Sequence, residues 1–135
     1  MISKGSAVGV IGLGAMGGGI AGSLRRGGFE VHVFDVRREV AQAFARDGGT
    51  ACATAAELAQ ACEVVVSVVV NAAQTDQVLF GNSGGEGGAA AAMRPGGAVV
   101  MCSTVDPNWS SALEGRLAER GLLYLDAPIS GGAAK

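Results

Sequence analysis

A glycine-rich stretch near the start of the chain has the residue types and spacing to bind a phosphorylated ligand. It has the pattern G-x-G-x-x-G and consists of Gly12, Leu13, Gly14, Ala15, Met16 and Gly17. In this pattern the first glycine permits a tight turn out of a strand, the second lets a pyrophosphate approach the backbone, and the third lets the following helix pack closely. The first amides of that helix point at the phosphates, whose negative charge the helix dipole favours. The stretch therefore predicts a dinucleotide-binding loop.

An acidic residue follows the glycines at the distance that such a site requires. Asp35 directly follows a predicted strand over residues 30–34. Its distance along the chain from the glycines is close to the roughly 20 residues of the dinucleotide fingerprint. Its carboxylate can accept hydrogen bonds from the ribose hydroxyls of adenosine and would repel a 2′-phosphate, which favours NAD over NADP. Arg37 and Arg38 keep NADP open, because an arginine can hold a 2′-phosphate. The alternative is that Asp35 caps the next helix and the arginines are solvated.

The hydrophobic pattern sets these residues in an alternation of short strands and helices. Strands are predicted at 7–11, 30–34, 49–52, 64–70, 98–102 and 122–125. Helices are predicted at 15–27, 37–47, 55–61, 72–79, 86–93 and 108–120. The stretch 64–70 is apolar on both faces around Ser67, which is typical of a central parallel strand. The sequence thus predicts an α/β fold with a Rossmann-type, doubly wound, mainly parallel six-stranded sheet.

Local signals predict several helix ends. Glycine pairs at 27–28 and 48–49 are expected to stop the first two helices, since glycine readily takes a positive φ. Thr54 is a predicted N-cap, and Glu57 three residues later completes a capping box. The glycine-rich segment 81–88 has no Lys-Ser/Thr pair and follows no strand directly, so we interpret it as a surface connection rather than a second phosphate loop.

Composition limits the classes of protein that the chain can represent. Its 135 residues suffice for one domain, and 49% of them are apolar. A net charge of -2 with no basic stripe gives no support to nucleic-acid or anionic-membrane binding. The longest aliphatic stretch is far too short to cross a bilayer, and Met1–Lys4 leads directly into a strand, so we expect no signal peptide.

The cysteines and the histidine predict no metal or redox chemistry. The three cysteines (Cys52, Cys62 and Cys102) form no C-x-x-C motif, as expected of reduced thiols in a cytoplasmic protein. His32 is the only histidine and lies in a predicted strand. We interpret it as a structural or surface residue, and no metal site of standard composition is visible.

The loops that follow the strands carry further candidate residues, because ligands of an open parallel sheet bind beyond the carboxyl ends of its strands. Asn71 and Gln74 could reach a cofactor or cap the next helix. Thr104 would lie near the nicotinamide half. The alternative is that Ser103 or Thr104 starts a turn capped by Asp106, and the two interpretations can hold together. The run Ser130-Gly131-Gly132 offers a hydroxyl and unhindered amides that suit a carboxylate, although a plain turn is the alternative.

Three motifs together resemble the β-hydroxyacid dehydrogenase family, which includes 3-hydroxyisobutyrate dehydrogenase, tartronate semialdehyde reductase and L-threonate dehydrogenase. They are G-L-G-x-M-G at 12–17, S-T-x-x-P at 103–107 and D-A-P-x-S-G-G at 126–132. The stretch 69–74, followed by Val-Leu-Phe-Gly at 78–81, is similar to the L-threonate dehydrogenase branch. The resemblance covers essentially the whole chain.

The resemblance implies NAD-dependent oxidation of a small hydroxy acid, L-threonate or a related sugar acid. It implies that Val70, Asn71 and Thr104 contact the cofactor together with the glycine loop and Asp35. The residues expected to hold the substrate carboxylate are Ser130, Gly131 and Gly132. The alternatives within the family are a 3-hydroxyisobutyrate dehydrogenase and a reductase of tartronate semialdehyde or of an imine, and the alternative of another class is a non-catalytic NAD-binding module.

The chain departs from the family pattern at its end. The family continues into an all-α domain that carries a catalytic lysine in a K-x-x-x-N pattern, whereas the only lysines here are Lys4 and Lys135. Neither matches the family position, so we expect residues 1–135 to form an NAD(P)-binding Rossmann domain, complete or nearly so, with no catalytic residue of its own. The absent helical domain would supply the homo-oligomer contact, and apolar surface near the last strand should be exposed.

Overall fold

Six parallel strands form one sheet in the computed structural model, which describes residues 6–46, 48–68, 77–81, 88–102 and 106–126. The strands are β1 (Ala7–Ile11), β2 (Glu30–Phe34), β3 (Thr50–Ala51), β4 (Val64–Ser67), β5 (Ala98–Met101) and β6 (Leu123–Asp126). Their order is β3-β2-β1-β4-β5-β6, and every neighbouring pair is parallel. The predicted fold class, a Rossmann-type α/β sheet, is confirmed, and the described sheet is parallel throughout.

Helices connect successive strands. They are α1 (Ala15–Arg26), α2 (Arg38–Arg46), α3 (Ala55–Ala61), α4 (Ala89–Ala92) and α5 (Pro107–Ala118), and residues 77–80 are also helical. Within the described ranges, none of these helices combines the length and the apolar character needed to cross a membrane.

The predicted helix ends are largely confirmed. Gly28 and Gly48 have φ values of 94° and 114°, in the left-handed region that favours glycine. The Thr54 Oγ1 atom accepts the N–H of Glu57 at 3.0 Å. The Glu57 carboxylate accepts the N–H of Ala53 at 3.4 Å rather than that of Thr54, so the capping box is displaced by one residue.

Two strands are shorter than their apolar patterns predict by two residues or more. The strand predicted at 64–70 ends at Ser67, because its ladder partner β1 ends at Ile11 and the chain then turns away at Gly12. Residues 69–70 lie outside the described part. β3 has two residues instead of the four predicted, since it lies at an edge of the described sheet and pairs only with His32 and Val33. The helix predicted at 86–93 is described only from residue 88, and α4 covers Ala89–Ala92.

The core lies on both faces of the sheet. On one face the valines of β1 and β2 pack against α1 and α2; the buried residues there include Val8, Val10, Val31, Val33, Ala21 and Ala41. On the other face Val65, Val99 and Met101 pack with residues of α3 and α5 such as Leu58 and Leu113. Full burial of such a side chain stabilises the fold by about 1.5–3 kcal/mol. Apolar strands buried on two faces explain why the sheet is parallel.

The last strand leaves part of one face open. Leu123 and Leu125 on β6 are 66% and 57% exposed. They pair in register with Ala98 and Val100, and Val100 packs against the α1–α2 side of the core. The apolar row that begins under α1 therefore continues onto β6, where both leucines are accessible. This agrees with the apolar surface expected near the last strand.

We expect the purified chain to associate with itself as its concentration rises, because exposed leucines on an edge strand favour contact between molecules. Sedimentation velocity should show a rising weight-average mass, and the double variant Leu123→Ser, Leu125→Ser should remain closer to the monomer. A single species of monomer mass at high concentration for the unsubstituted chain would contradict this expectation.

Candidate dinucleotide-binding site

The glycine loop and Asp35 meet because β1 and β2 end side by side. Ile11 pairs with Phe34 in the ladder, and the N–H of Gly12 donates to the carbonyl oxygen of Phe34 at 2.9 Å. Gly12 has a φ of 97°, which an L side chain rarely adopts. A glycine at this position therefore lets the chain leave β1 in a tight turn directly above the end of β2.

Asp35 is bonded to the glycine loop itself. The N–H of Leu13 donates to Asp35 Oδ2 at 2.7 Å. Arg37 supplies three further donors to the same carboxylate: its backbone N–H and its Nε reach Oδ1 at 2.8 Å and 3.1 Å, and its Nη2 reaches Oδ2 at 3.2 Å. Asp35 is buried, with a side chain that is 6% exposed, whereas the Arg37 side chain is 55% exposed.

The carboxylate is stabilised in its charged form. Burial on its own raises the pKa of Asp35, but the hydrogen bonds from Arg37 and Leu13 and the charge of Arg37 together outweigh burial, so that the pKa lies below its usual value. Asp35 is thus an anion at neutral pH in the structure. Sequence reasoning treated Asp35 as a ribose ligand or a helix cap and missed both its bond to Leu13 and its ion pair with Arg37. The Asp-x-Arg spacing was the available signal for the ion pair.

The N-terminus of α1 is suited to a phosphate group. Gly14 is its N-cap and has no side chain that could accept from the helix amides, and the first turn contains no acidic residue. A Cβ placed on Gly14 would meet no described atom within 4 Å, so open space adjoins its backbone. The first amides of a helix have no intrahelical partner and carry a positive potential. The arrangement fits a pyrophosphate in the place predicted from the sequence.

Gly17 holds α1 against the loop. A Cβ on Gly17 would overlap the carbonyl oxygen of Gly12 and would lie 3.5 Å from Val68 Cβ. The helix can begin this close to β1 only because Gly17 has no side chain. Gly19, two residues further along α1, differs, because a Cβ there would meet no described atom within 4 Å. Gly17 and Gly19 therefore have different structural roles.

The remaining predicted site residues lie outside the described part of the chain. They are Val70, Asn71, Thr104, Ser130, Gly131 and Gly132, and the alternatives Gln74 and Ser103 lie outside it as well. Val68 and Cys102 are the last described residues before two of these segments, and both lie at the edge of the sheet that carries the glycine loop. The N–H of Val68 donates to the carbonyl oxygen of Ile11 at 2.8 Å, and the N–H of Cys102 donates to the carbonyl oxygen of Ser67 at 3.0 Å.

Ser67 is a buried polar residue that sequence reasoning did not single out. It ends β4 beside Ile11 and Met101, and its side chain is fully buried. Its Oγ has no hydrogen-bond partner among the described residues. Such a group is rare in folded proteins, because leaving a buried hydroxyl unpaired costs about 1–3 kcal/mol. The continuous apolar run at 64–70, on both sides of Ser67, concealed it.

The histidine and two of the cysteines, Cys52 and Cys62, are buried within the fold. His32 is buried and its Nε2 lies 2.8 Å from Glu30 Oε2. Burial raises the pKa of Cys52 to about 11 and that of Cys62 to about 12, so both thiols are protonated at neutral pH. Glu57 contributes less to the pKa of Cys52, and Cys52 and Glu30 contribute less to that of Cys62. In the described ranges no three His, Cys, Asp or Glu side chains are grouped to bind a metal.

Comparison with known proteins identifies the family. Residues 7–135 match the family described as the NAD binding domain of 6-phosphogluconate dehydrogenase. The chain belongs to this family. Among its relatives the domain is 59% identical, over 128 residues, to L-threonate dehydrogenase from Cupriavidus necator; the match covers 95% of this chain and 42% of that protein. The predicted resemblance to the 3-hydroxyisobutyrate dehydrogenase family is thereby confirmed.

Solved structures agree with this assignment. The crystal structure of 3-hydroxyisobutyrate dehydrogenase from Salmonella typhimurium superimposes with a TM-score of 0.86 at 38% identity, covering 96% of this chain and 44% of that one. Psf3 in complex with NADP+ and 2-OPP superimposes with a TM-score of 0.82 at 30% identity, covering 93% of this chain and 43% of that one. The NAD-binding domain therefore spans less than half the length of each protein compared.

We expect Gly17→Ala to damage the dinucleotide site of this NAD-binding domain, and Gly19→Ala to leave it intact. The methyl group at 17 would displace the Gly12 turn and reduce the free energy of unfolding by about 1–3 kcal/mol. The methyl group at 19 has space and should raise helix stability by up to about 1 kcal/mol. Urea unfolding and an NAD titration of both variants check this, and equal effects of the two substitutions would contradict it.

We expect Asp35→Asn to weaken the domain at neutral pH by about 1–3 kcal/mol, because charge-assisted hydrogen bonds are lost. The native pKa of Asp35 is lowered, so its contribution is fully present above the unfolded pKa of about 3.9 and disappears as pH falls through the native value. Urea unfolding from pH 7 to pH 3 should show the wild type and the variant converging in acid.

Asp106→Asn is the matched control for this experiment. Asp106 is exposed and caps α5 by accepting the N–H of Asn108 at 2.8 Å, and asparagine caps helices about as well as aspartate. The control should change stability by no more than a few tenths of a kcal/mol. A loss for Asp35→Asn that stays constant from pH 7 to pH 3 would refute the role given to its charge.

Proposed function

We propose that this chain is the cofactor-binding domain of a longer NAD-dependent hydroxyacid dehydrogenase, with L-threonate or a related sugar acid as its substrate. The observation that carries the proposal is the connection between the Gly12 turn, the open N-terminus of α1 and the charged Asp35 at the adjoining strand end. This set of groups suits the pyrophosphate and the adenosine ribose of one dinucleotide.

The geometry supports a dinucleotide through three of this chain's own features. The first-turn amides of α1 would receive the pyrophosphate, the backbone at Gly14 leaves room for it, and Asp35 would accept from the ribose hydroxyls. Leu13, Ala15, Met16 and Gly17 complete the loop that we assign to the cofactor. Val70 and Asn71 are also assigned to the cofactor, and Thr104 to its nicotinamide half. A bound dinucleotide would supply the hydride acceptor, whereas the protein orients it. We favour NAD over NADP because Asp35 is anionic.

The relatives support the reaction and the substrate class. The identity to the Cupriavidus necator enzyme, 59% over nearly the whole chain, favours L-threonate. The Salmonella typhimurium structure, named a 3-hydroxyisobutyrate dehydrogenase, favours that hydroxy acid as the second candidate at 38% identity. Under either proposal Ser130, Gly131 and Gly132 would hold the substrate carboxylate. The proton-accepting lysine and the oligomer contact would belong to the part of the relatives that this chain does not match.

Calorimetric titration of the purified chain is the first test. We expect NAD to bind and L-threonate alone not to bind, because the proposed acid site requires the cofactor and the rest of the enzyme. The chain mixed with NAD and L-threonate should produce no NADH absorbance, because no catalytic lysine is assigned to it. Failure of the folded chain to bind either NAD or NADP would refute the proposed function.

A chimera tests the activity. This chain would replace the matching segment of the Cupriavidus necator enzyme, and NADH formation would be followed with L-threonate and with 3-hydroxyisobutyrate. We expect turnover of L-threonate, and we expect Ser130→Ala in the chimera to raise KM for the acid while leaving NAD affinity unchanged. A chimera that is folded and binds NAD but oxidises neither acid would instead indicate a non-catalytic NAD-binding module.

A further inference from the structure

The carboxylate of Asp35 has no free position for a ligand in this structure. Its two oxygens accept four N–H groups, from Leu13, from the Arg37 backbone, and from Arg37 Nε and Nη2, at distances of 2.7, 2.8, 3.1 and 3.2 Å. A carboxylate has about four lone-pair positions, so these donors saturate it. With a side-chain exposure of 6%, Asp35 is also largely covered. Ribose hydroxyls can reach Asp35 only if some of these donors leave.

Two of the four donors are held in place by the fold. Leu13 directly follows Gly12, and the Gly12 N–H donates to the carbonyl oxygen of Phe34, which fixes the position of the Leu13 N–H. The Arg37 N–H belongs to the turn that leads into α2, where the Arg37 carbonyl accepts the N–H of Val40 at 2.9 Å. The guanidinium, by contrast, sits on a long side chain that is 55% exposed. Nε and Nη2 are therefore the donors that a ligand can replace.

The guanidinium also matches the ligand in its pattern of donors. Nε donates to Oδ1 and Nη2 donates to Oδ2, one hydrogen bond to each oxygen. The 2′- and 3′-hydroxyls of a ribose form the same pair of donors, one for each carboxylate oxygen. Arg37 thus occupies the bonds that the ribose would make, in the bidentate manner typical of arginine with a carboxylate.

We propose that Arg37 covers the ribose position of Asp35 and has to leave it when a dinucleotide binds, so that Arg37 reduces the preference of the site for NAD over NADP. The proposal rests on the cofactor-binding function proposed above. Binding of NAD must break the Asp35–Arg37 ion pair, and NAD has no 2′-phosphate to replace Asp35 as the partner of the arginine. For NADP, the displaced guanidinium stays within reach of the 2′-phosphate, to which it can donate two parallel hydrogen bonds.

The neighbouring arginine does not share this role. Arg38 begins α2 and is exposed, and among the described residues the hydrogen bonds to the Asp35 carboxylate come from Leu13 and Arg37. The two arginines carry the same charge one residue apart. Arg38 is therefore the matched control for any effect of charge alone.

Calorimetric titration of the purified chain with NAD and with NADP tests the proposal in the variants Arg37→Met and Arg38→Met. Methionine keeps an unbranched side chain and removes the charge and the donors. We expect Arg37→Met to bind NAD about 3-fold more tightly and NADP about 10-fold more weakly, since charge-assisted hydrogen bonds to a phosphate are lost. Arg38→Met should change both Kd values by the same small factor, about 2-fold or less, so that their ratio is unchanged.

Arg37→Lys separates charge from geometry. It retains the positive charge without the planar pair of donors, so NADP affinity should fall less than in Arg37→Met. Thermal unfolding of each variant checks that the domain is folded. If Arg37→Met weakens NAD and NADP equally, Arg37 only supports Asp35 and the proposal is wrong. If the ratio does not change, or if Arg38→Met changes it as much, the proposal is also wrong.

These outcomes differ from those that test the function. A wild-type chain that binds neither dinucleotide refutes the cofactor-binding function, and this inference falls with it. A wild-type chain that binds NAD while the Arg37 variants leave the NAD-to-NADP ratio unaltered refutes this inference alone.

Discussion

The hydrogen bond between the Leu13 amide and the Asp35 carboxylate ties together the parts of the molecule on which the site depends. It joins the loop after β1 to the end of β2, two segments separated by the whole of α1. It is possible because Ile11 and Phe34 are partners in the parallel ladder and Gly12 turns directly above them. A slip of this register would move the carboxylate away from the loop and from the helix N-terminus together.

Close packing without side chains is the second constraint. Gly17 lets α1 begin against the carbonyl oxygen of Gly12, and Gly9 lets α3 pack on β1, where a Cβ would overlap the Leu58 side chain. Both glycines bring a helix nearer to the sheet than any other residue would permit. The N-terminal end of α1, to which we assign the pyrophosphate, is therefore part of the same packing that forms the core, so the proposed site and the fold share their determinants.

The common direction of the strands, rather than local sequence, decides which strand ends lie together. All described strands are parallel, so their carboxyl ends face the same edge, and the chain leaves β1 and β4 at the point where the strand order changes direction. The carboxyl ends of strands distant in sequence thereby lie along one edge, which is where ligands of open parallel sheets bind. The part of one face that carries Leu123 and Leu125 is open in the described domain, which spans less than half of the length of its relatives.

Much of this organisation could be predicted from residues with strong local preferences. The glycine pattern, the acidic residue about 20 positions later and the alternation of apolar segments predicted the doubly wound, mainly parallel sheet and the loop–helix junction. The ends of β3 and β4 could not be predicted in this way, because a strand ends where its ladder partner ends. Thr54 identified a helix start, yet the partner of Glu57 proved to be Ala53, since side-chain reach depends on the turn that precedes the helix.

The sequence by itself therefore determined the fold class and the positions of the glycine loop and of Asp35, because these depend on backbone freedom at glycine and on hydrophobic period. Its three motifs indicated the family. Only the tertiary structure decided what Asp35 contacts, that Arg37 rather than Arg38 covers it, and that the Ser67 hydroxyl is buried with no partner among the described residues. The Leu13–Asp35 bond and the burial of Ser67 depend on how strands far apart in the chain are aligned, and residue spacing carries no record of that alignment. The Asp35–Arg37 contact is local, and its only signal in the sequence was the Asp-x-Arg spacing.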